Sequence, residues 1–190
     1  MLTPVPPIES ETSSLKAWVM LKETFDELIG LRWVGTVGIG PTRHFYFAGG
    51  SRGGHDRASE YTIGVECPWR IEGPDAIIVG SDDYFEPASG SDEAGSDSQG
   101  SRRDLQEQLI VGLLGELKGG RMESFVSKFV VVSIRVESFG GFRIEMSGNY
   151  TLAVFPASRN QMEWIYLRPG LKSFVYMEGK LSRTNKVARL

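Results

Sequence analysis

The sequence predicts an α+β fold, mainly antiparallel: one curved sheet or an open barrel of about eight or nine strands, with two helices. Three observations carry that prediction. Apolar and polar residues alternate at period two through 60–72, and again through 142–154. Short turn signals separate the candidate strands: Gly40-Pro41, Gly73-Pro74-Asp75, Gly140-Gly141 and Gly148-Asn149. Connections that short join antiparallel neighbours, because a parallel crossover needs a dozen or more residues. Only two segments carry the three-and-four spacing of an amphipathic helix.

In chain order, residues 1–13 read as a flexible arm rich in Pro, Ser and Thr. The first helix then starts near Leu15, with Leu15, Trp18, Leu21, Phe25 and Leu28 on one stripe and Gly30 as its stop. Arg32–Ile39 and Arg43–Ala48 read as a strand hairpin, and the glycine-rich 49–57 as a loop. In 60–72, Tyr61, Ile63, Val65, Cys67, Trp69 and Ile71 share one face of a single long strand. Pro68 inside it has no N–H to give a ladder, so a bulge or an edge position is expected there. Residues 76–79 return antiparallel. Residues 81–101 form an acidic flexible loop, inserted into a single domain spanning 14–179. A second helix over 102–118 follows, with Leu105, Leu109, Leu113 and Leu117 at intervals of four and Gly119-Gly120 ending it. Strands are expected at 125–137, 142–146, 150–154, 162–167 and 173–177, before a basic tail over 180–190.

Composition narrows the chemistry. The chain has 190 residues, 41% hydrophobic and 24% charged, which argues against a disordered chain or a fibre. One cysteine, Cys67, and two histidines, His44 and His55, leave little for a disulfide scaffold or a Cys/His metal centre. Cys67 on the apolar face of a strand reads as a small buried hydrophobe. The glycines of 35–40 lack the following helix that a phosphate-binding loop requires. The formal charge of −3 lacks the basic surplus of a nucleic-acid binder, so direct nucleic-acid binding is not expected. No apolar run approaches the ~18 residues of a membrane-spanning helix, and the first residues lack the pattern of a signal peptide. A cytoplasmic protein without a cofactor is the expectation.

The charge is uneven. Asp82, Asp83, Glu86, Asp92, Glu93 and Asp97 fall in 81–101 with no Lys or Arg among them. Such a segment steers a basic protein partner toward it. Arg70 on the wet face of its strand, and Trp164 on a strand apolar on both faces, are the further candidate binding residues. Two alternatives stand beside this one. Asp82 and Asp83 with a strand glutamate (Glu66, Glu72 or Glu145) are the raw material of a magnesium-dependent hydrolase or nuclease. An aromatic-rich barrel would suit a small ligand.

Two stretches support a family resemblance. One is Cys67-Pro68-Trp69-Arg70-Ile71, Gly73-Pro74-Asp75 and Ile78-Val79-Gly80-Ser81-x-Asp83. The other is Gly140-Gly141-Phe142-Arg143-Ile144, Leu152-x-Val154-Phe155-Pro156 and Glu163-Trp164. The chain resembles a group of small bacterial proteins with these segments in this order, for which no activity is established. The resemblance implies a bacterial, intracellular, single-domain protein, similar to the small accessory or neutralising proteins of bacterial conflict systems. The acidic segment, with one sheet face, points separately to a non-catalytic protein that binds another protein.

Overall fold

A computed structural model describes residues 18–40, 42–49, 61–85, 105–115, 117–118, 121–123, 128–158, 160–168 and 173–184. The fold is α+β, and every strand pairing among these residues is antiparallel. The strands divide between two sheets, neither closed into a barrel.

The chain enters through α1 (18–25), which continues as a 3-10 turn over Asp26–Leu28. Leu21, Phe25 and Leu28 of the expected stripe are fully buried. Strands β1 (Arg32–Ile39) and β2 (Thr42–Ala48) form the expected hairpin, and β3 (Tyr61–Val65) pairs with β2. Next come β4 (Trp69–Glu72), β5 (Ile77–Gly80) and a 3-10 turn over Ser81–Phe85. Helix α2 (Leu105–Leu114) leads to β6 (Leu117–Lys118) and β7 (Arg121–Glu123). Strands β8 (Val131–Val136), β9 (Phe142–Met146) and β10 (Tyr150–Val154) form a meander. Strands β11 (Met162–Leu167), β12 (Ser173–Met177) and β13 (Lys180–Thr184) form another. The larger sheet runs β13-β12-β11-β3-β2-β1-β7-β6, and the smaller runs β5-β4-β10-β9-β8.

Several expectations need correction. The single strand over 60–72 is two strands. The chain leaves the larger sheet after Val65 and joins the smaller at Trp69, with Pro68 at the crossing. Neither β3 nor β4 is an edge, and Pro68 sits outside both ladders, where its missing N–H costs nothing. The second helix is shorter than 102–118. It ends at Leu114, where Gly115 takes φ +98° and stops it. Its buried side chains are Gln106, Ile110 and Leu114, one position round from the expected leucine stripe. The expected tail over 180–190 is instead ordered through Thr184 as β13, which pairs with β12. The arm over 1–13 and the acidic loop beyond Phe85 lie outside the described residues.

The two sheets face each other across one aromatic core. Phe45 of β2 meets Trp69 of β4 edge-on at 5.1 Å, and Trp164 of β11 meets Phe142 of β9 at 5.5 Å. Phe25 of α1 packs on Phe142, Trp164 and Tyr166, so the helix joins the same aromatic core. Trp164 also stacks on Tyr176, and its indole donates to the Gly140 carbonyl at 2.7 Å. That bond fixes the turn between β8 and β9. Gly140 has φ +84°, and a Cβ there would run into the Tyr176 ring, so only glycine fits. The outer face of the smaller sheet is polar: Glu72 bridges Arg70 and Arg143, and Glu145 accepts from Ser133 and Arg135.

Candidate functional site

Where the β1–β2 hairpin meets the β3–β4 crossing there is a cleft of about 490 Å³. That lies within the size range of ligand sites, roughly 300–1,000 Å³. Segments far apart in sequence build it. The β1–β2 hairpin supplies Gly38, Gly40, Thr42 and Arg43, and the β3–β4 crossing supplies Glu66 through Trp69. Ser81, Asp82, Tyr84 and Phe85 form one lip, and Gln106 reaches in from α2. The crossing is held at both ends. Glu66 and Cys67 N–H groups donate to the Glu163 carbonyl at 2.9 and 3.2 Å, and Phe155 N–H donates to the Pro68 carbonyl at 2.8 Å.

Arg43 is the least expected member. Alternation along β2 puts it on the same inward face as Phe45 and Phe47, and it is only 7% exposed. Its guanidinium lies flat against Gly38, where an added Cβ would come within 3.2 Å of Cζ. Its Nη2 donates to Gln106 Oε1. Gln106 is itself pinned, its amide donating to the carbonyls of Gly80 (2.9 Å) and Ser81 (3.2 Å). The helix, the end of β5 and the hairpin are thus joined through two buried polar side chains. Thr42 donates to Glu66 at 2.8 Å, which sets that carboxylate at the rim.

The sequence-derived candidates fall into different places. Asp82 is exposed and lines this cleft. It also lines a neighbouring groove of about 290 Å³, with Arg70, Ile77 and Phe155. Asp83 accepts the Gly80 N–H at 2.7 Å, so it folds the turn. Arg70 lies over the Phe155 ring at 4.9 Å while paired with Glu72, a position beside the cleft and outside it. Trp164 is wholly buried, which corrects its expected surface role: its ring faces the core against Phe25, Phe142 and Tyr176. Glu86, Asp92, Glu93 and Asp97 lie outside the described residues.

Among the described residues, the thiol and the imidazole are muted. Burial raises the Cys67 pKa, so the thiol stays protonated at neutral pH. His44 points to the other face of β2, packed on Gly64 and Ile165, and burial lowers its pKa. The acids expected for a metal site are dispersed among arginines and hydroxyls. Among the described residues, no three His, Cys, Asp or Glu side chains converge. Also among them, no helix is long and apolar enough to cross a membrane. The lip carries the opposite of muted chemistry: Tyr84 is 46% exposed and Phe85 82%. No family model, curated protein or solved structure matches the chain.

Proposed function

We propose that this chain is a non-catalytic protein-binding protein that takes a basic segment of its partner into the cleft. The observation that carries this reading is the lip. Tyr84 and Phe85 stand exposed at the mouth, at the head of a sequence run holding six acids and no Lys or Arg. Exposed aromatic rings give apolar contact and a face for cations, and are typical anchors of protein interfaces. Glu66 and Asp82 add carboxylates at the same mouth. The acidic run draws a basic partner in, and the rings hold it. A neutralising or accessory role, the one the family resemblance implies, is of this kind.

The test is titration of the full chain with an oligo-arginine peptide, followed by tryptophan fluorescence or calorimetry. Binding is expected to weaken steeply with salt. Phe85→Ala is expected to weaken it about tenfold, and Asp82→Asn to flatten the salt dependence. An oligo-glutamate peptide binding equally well, or binding indifferent to salt and to Phe85→Ala, would overturn the reading.

A further inference from the structure

The lip of the cleft holds an acid and a ring together. Asp82 and Phe85 both line the cleft, and they stand three residues apart on the 3-10 turn Ser81–Phe85. Three residues make one full turn of that helix, so the two side chains leave the same side of it, about 6 Å apart along the axis. Both are exposed. Asp83 is spent on the Gly80 N–H. The Asp82 carboxylate, among the described residues, accepts only a long bond of 3.4 Å from the neighbouring Ser81 hydroxyl.

The protein itself shows beside the cleft what an acid and a ring together accept. Arg70 lies over the Phe155 ring at 4.9 Å, while its Nε and Nη2 each reach one oxygen of Glu72 at 2.8 Å. A guanidinium is planar: its face lies on the ring and its edge carries N–H donors to the carboxylate, so one head group satisfies both. A lysine ammonium is a compact, strongly hydrated charge with no such face.

We infer that the Asp82–Phe85 side of the lip is a subsite for arginine, and that the partner's segment enters it by an arginine side chain, with lysine a poor substitute. The guanidinium stacks on the Phe85 ring and turns its edge to the Asp82 carboxylate. The arrangement repeats that of Arg70, with the arginine supplied by the partner. The inference rests on the protein-binding reading above and narrows a basic segment to one kind of basic residue.

Calorimetry with the full chain decides it. The two probes are peptides of equal length and charge, one of arginines and one of lysines, in the same low-salt buffer. The arginine peptide is expected to bind about tenfold more tightly. Phe85→Leu keeps an apolar side chain but loses the π face, and is expected to erase most of that preference by weakening the arginine peptide alone. Phe85→Trp is expected to keep it. Phe85 is 82% exposed, so neither change reaches the core, and thermal melting confirms that each variant is folded. If the lysine peptide binds the unmodified protein as tightly as the arginine peptide, or if Phe85→Leu leaves the preference intact, the arginine subsite is wrong while the basic-segment reading stands. If neither peptide binds at low salt, both readings fall.

Discussion

Phe139 holds a left-handed backbone, φ +60° and ψ +30°, with its ring 86% exposed. A bulky residue in that region costs roughly 1–3 kcal/mol, and an exposed ring returns little burial against it. Its neighbours impose the strain. The Trp164 indole grips the Gly140 carbonyl, and the Glu137 N–H donates to the Gly141 carbonyl at 2.7 Å. Phe139→Gly is therefore expected to stabilise the fold by about 1 kcal/mol, the relief of strain exceeding glycine's extra unfolded-state entropy. Urea denaturation measures it, and a loss of stability would mean that the ring packs in solution. His44 makes the second residue-scale prediction. It is 2% exposed, and its Nδ1 has no hydrogen-bond partner among the described residues. Burial lowers its pKa from 6.5, with Arg43 adding to the effect and the Glu66 charge opposing it. The folded chain thus holds a neutral ring that the unfolded chain protonates more readily. Its contribution is complete above the unfolded value of 6.5 and declines as pH falls below it, toward the lower folded value. Urea midpoints at about pH 7.5 and 5.5 should differ in that direction, and His44→Gln should remove most of the difference. Carboxylates such as Glu145, held low by Ser133 and Arg135, act in a more acidic window.

At the scale of elements, α2 is decided by one glutamine. Hydrophobicity alone favours a buried stripe of Leu105, Leu109 and Leu113. The helix instead buries Gln106, Ile110 and Leu114, because Gln106 satisfies Arg43 and two carbonyls at the end of β5 and its following turn. A buried polar group with three partners is worth more in place than a more apolar face that leaves those partners unmet. Gln106→Leu, which makes the helix more hydrophobic, is accordingly expected to destabilise the protein by about 1–3 kcal/mol. Chemical denaturation reads this, and a neutral or stabilising result would show the network to be dispensable. The same element marks where sequence reading stops. Strands β1, β2, β5, β9 and β10 were legible because alternation and turn glycines are local signals. The passage from β3 to β4 was hidden because its odd-numbered side chains, Ile63 to Ile71, point into the same core on both sides of Pro68. Alternation reports which face is buried and does not report which sheet bears it. The cleft was harder still, since residues 43, 66, 82 and 106 meet only in three dimensions. One signal was available: Arg43 keeps the parity of Phe45 and Phe47, so the strand itself placed an arginine inward.

For the molecule as a whole, the balance lies between two sheets sharing one core and the terminal strands of each among the described residues. The larger sheet ends at β13 and β6, the smaller at β5 and β8. An unpaired edge invites pairing with another chain, and charged side chains are a common guard. Strand β13 fits that role. Lys180 and Arg183 are exposed on it, Leu181 packs against the core, and its five residues pair with β12 from Ser173 to Met177. Its basic sequence made it look like a tail; what makes it a strand is the long-range partner, which no local pattern reports. The distinction has a physical consequence. Strand β12 carries Tyr176, which stacks on Trp164, which in turn holds the turn at Gly140. Loosening the edge therefore reaches the centre of the sandwich. A chain cut after Gly179 loses the β13 ladder and the Leu181 contact, and bares the apolar edge of β12. It is expected to be less stable by about 2–4 kcal/mol. Light scattering should also report a higher mass for it than for the full chain at the same concentration, as bared edges pair. A true tail would come off without either effect. Unchanged denaturation and unchanged scattering would thus return 180–184 to the role its charge suggested, and would detach the edge from the core.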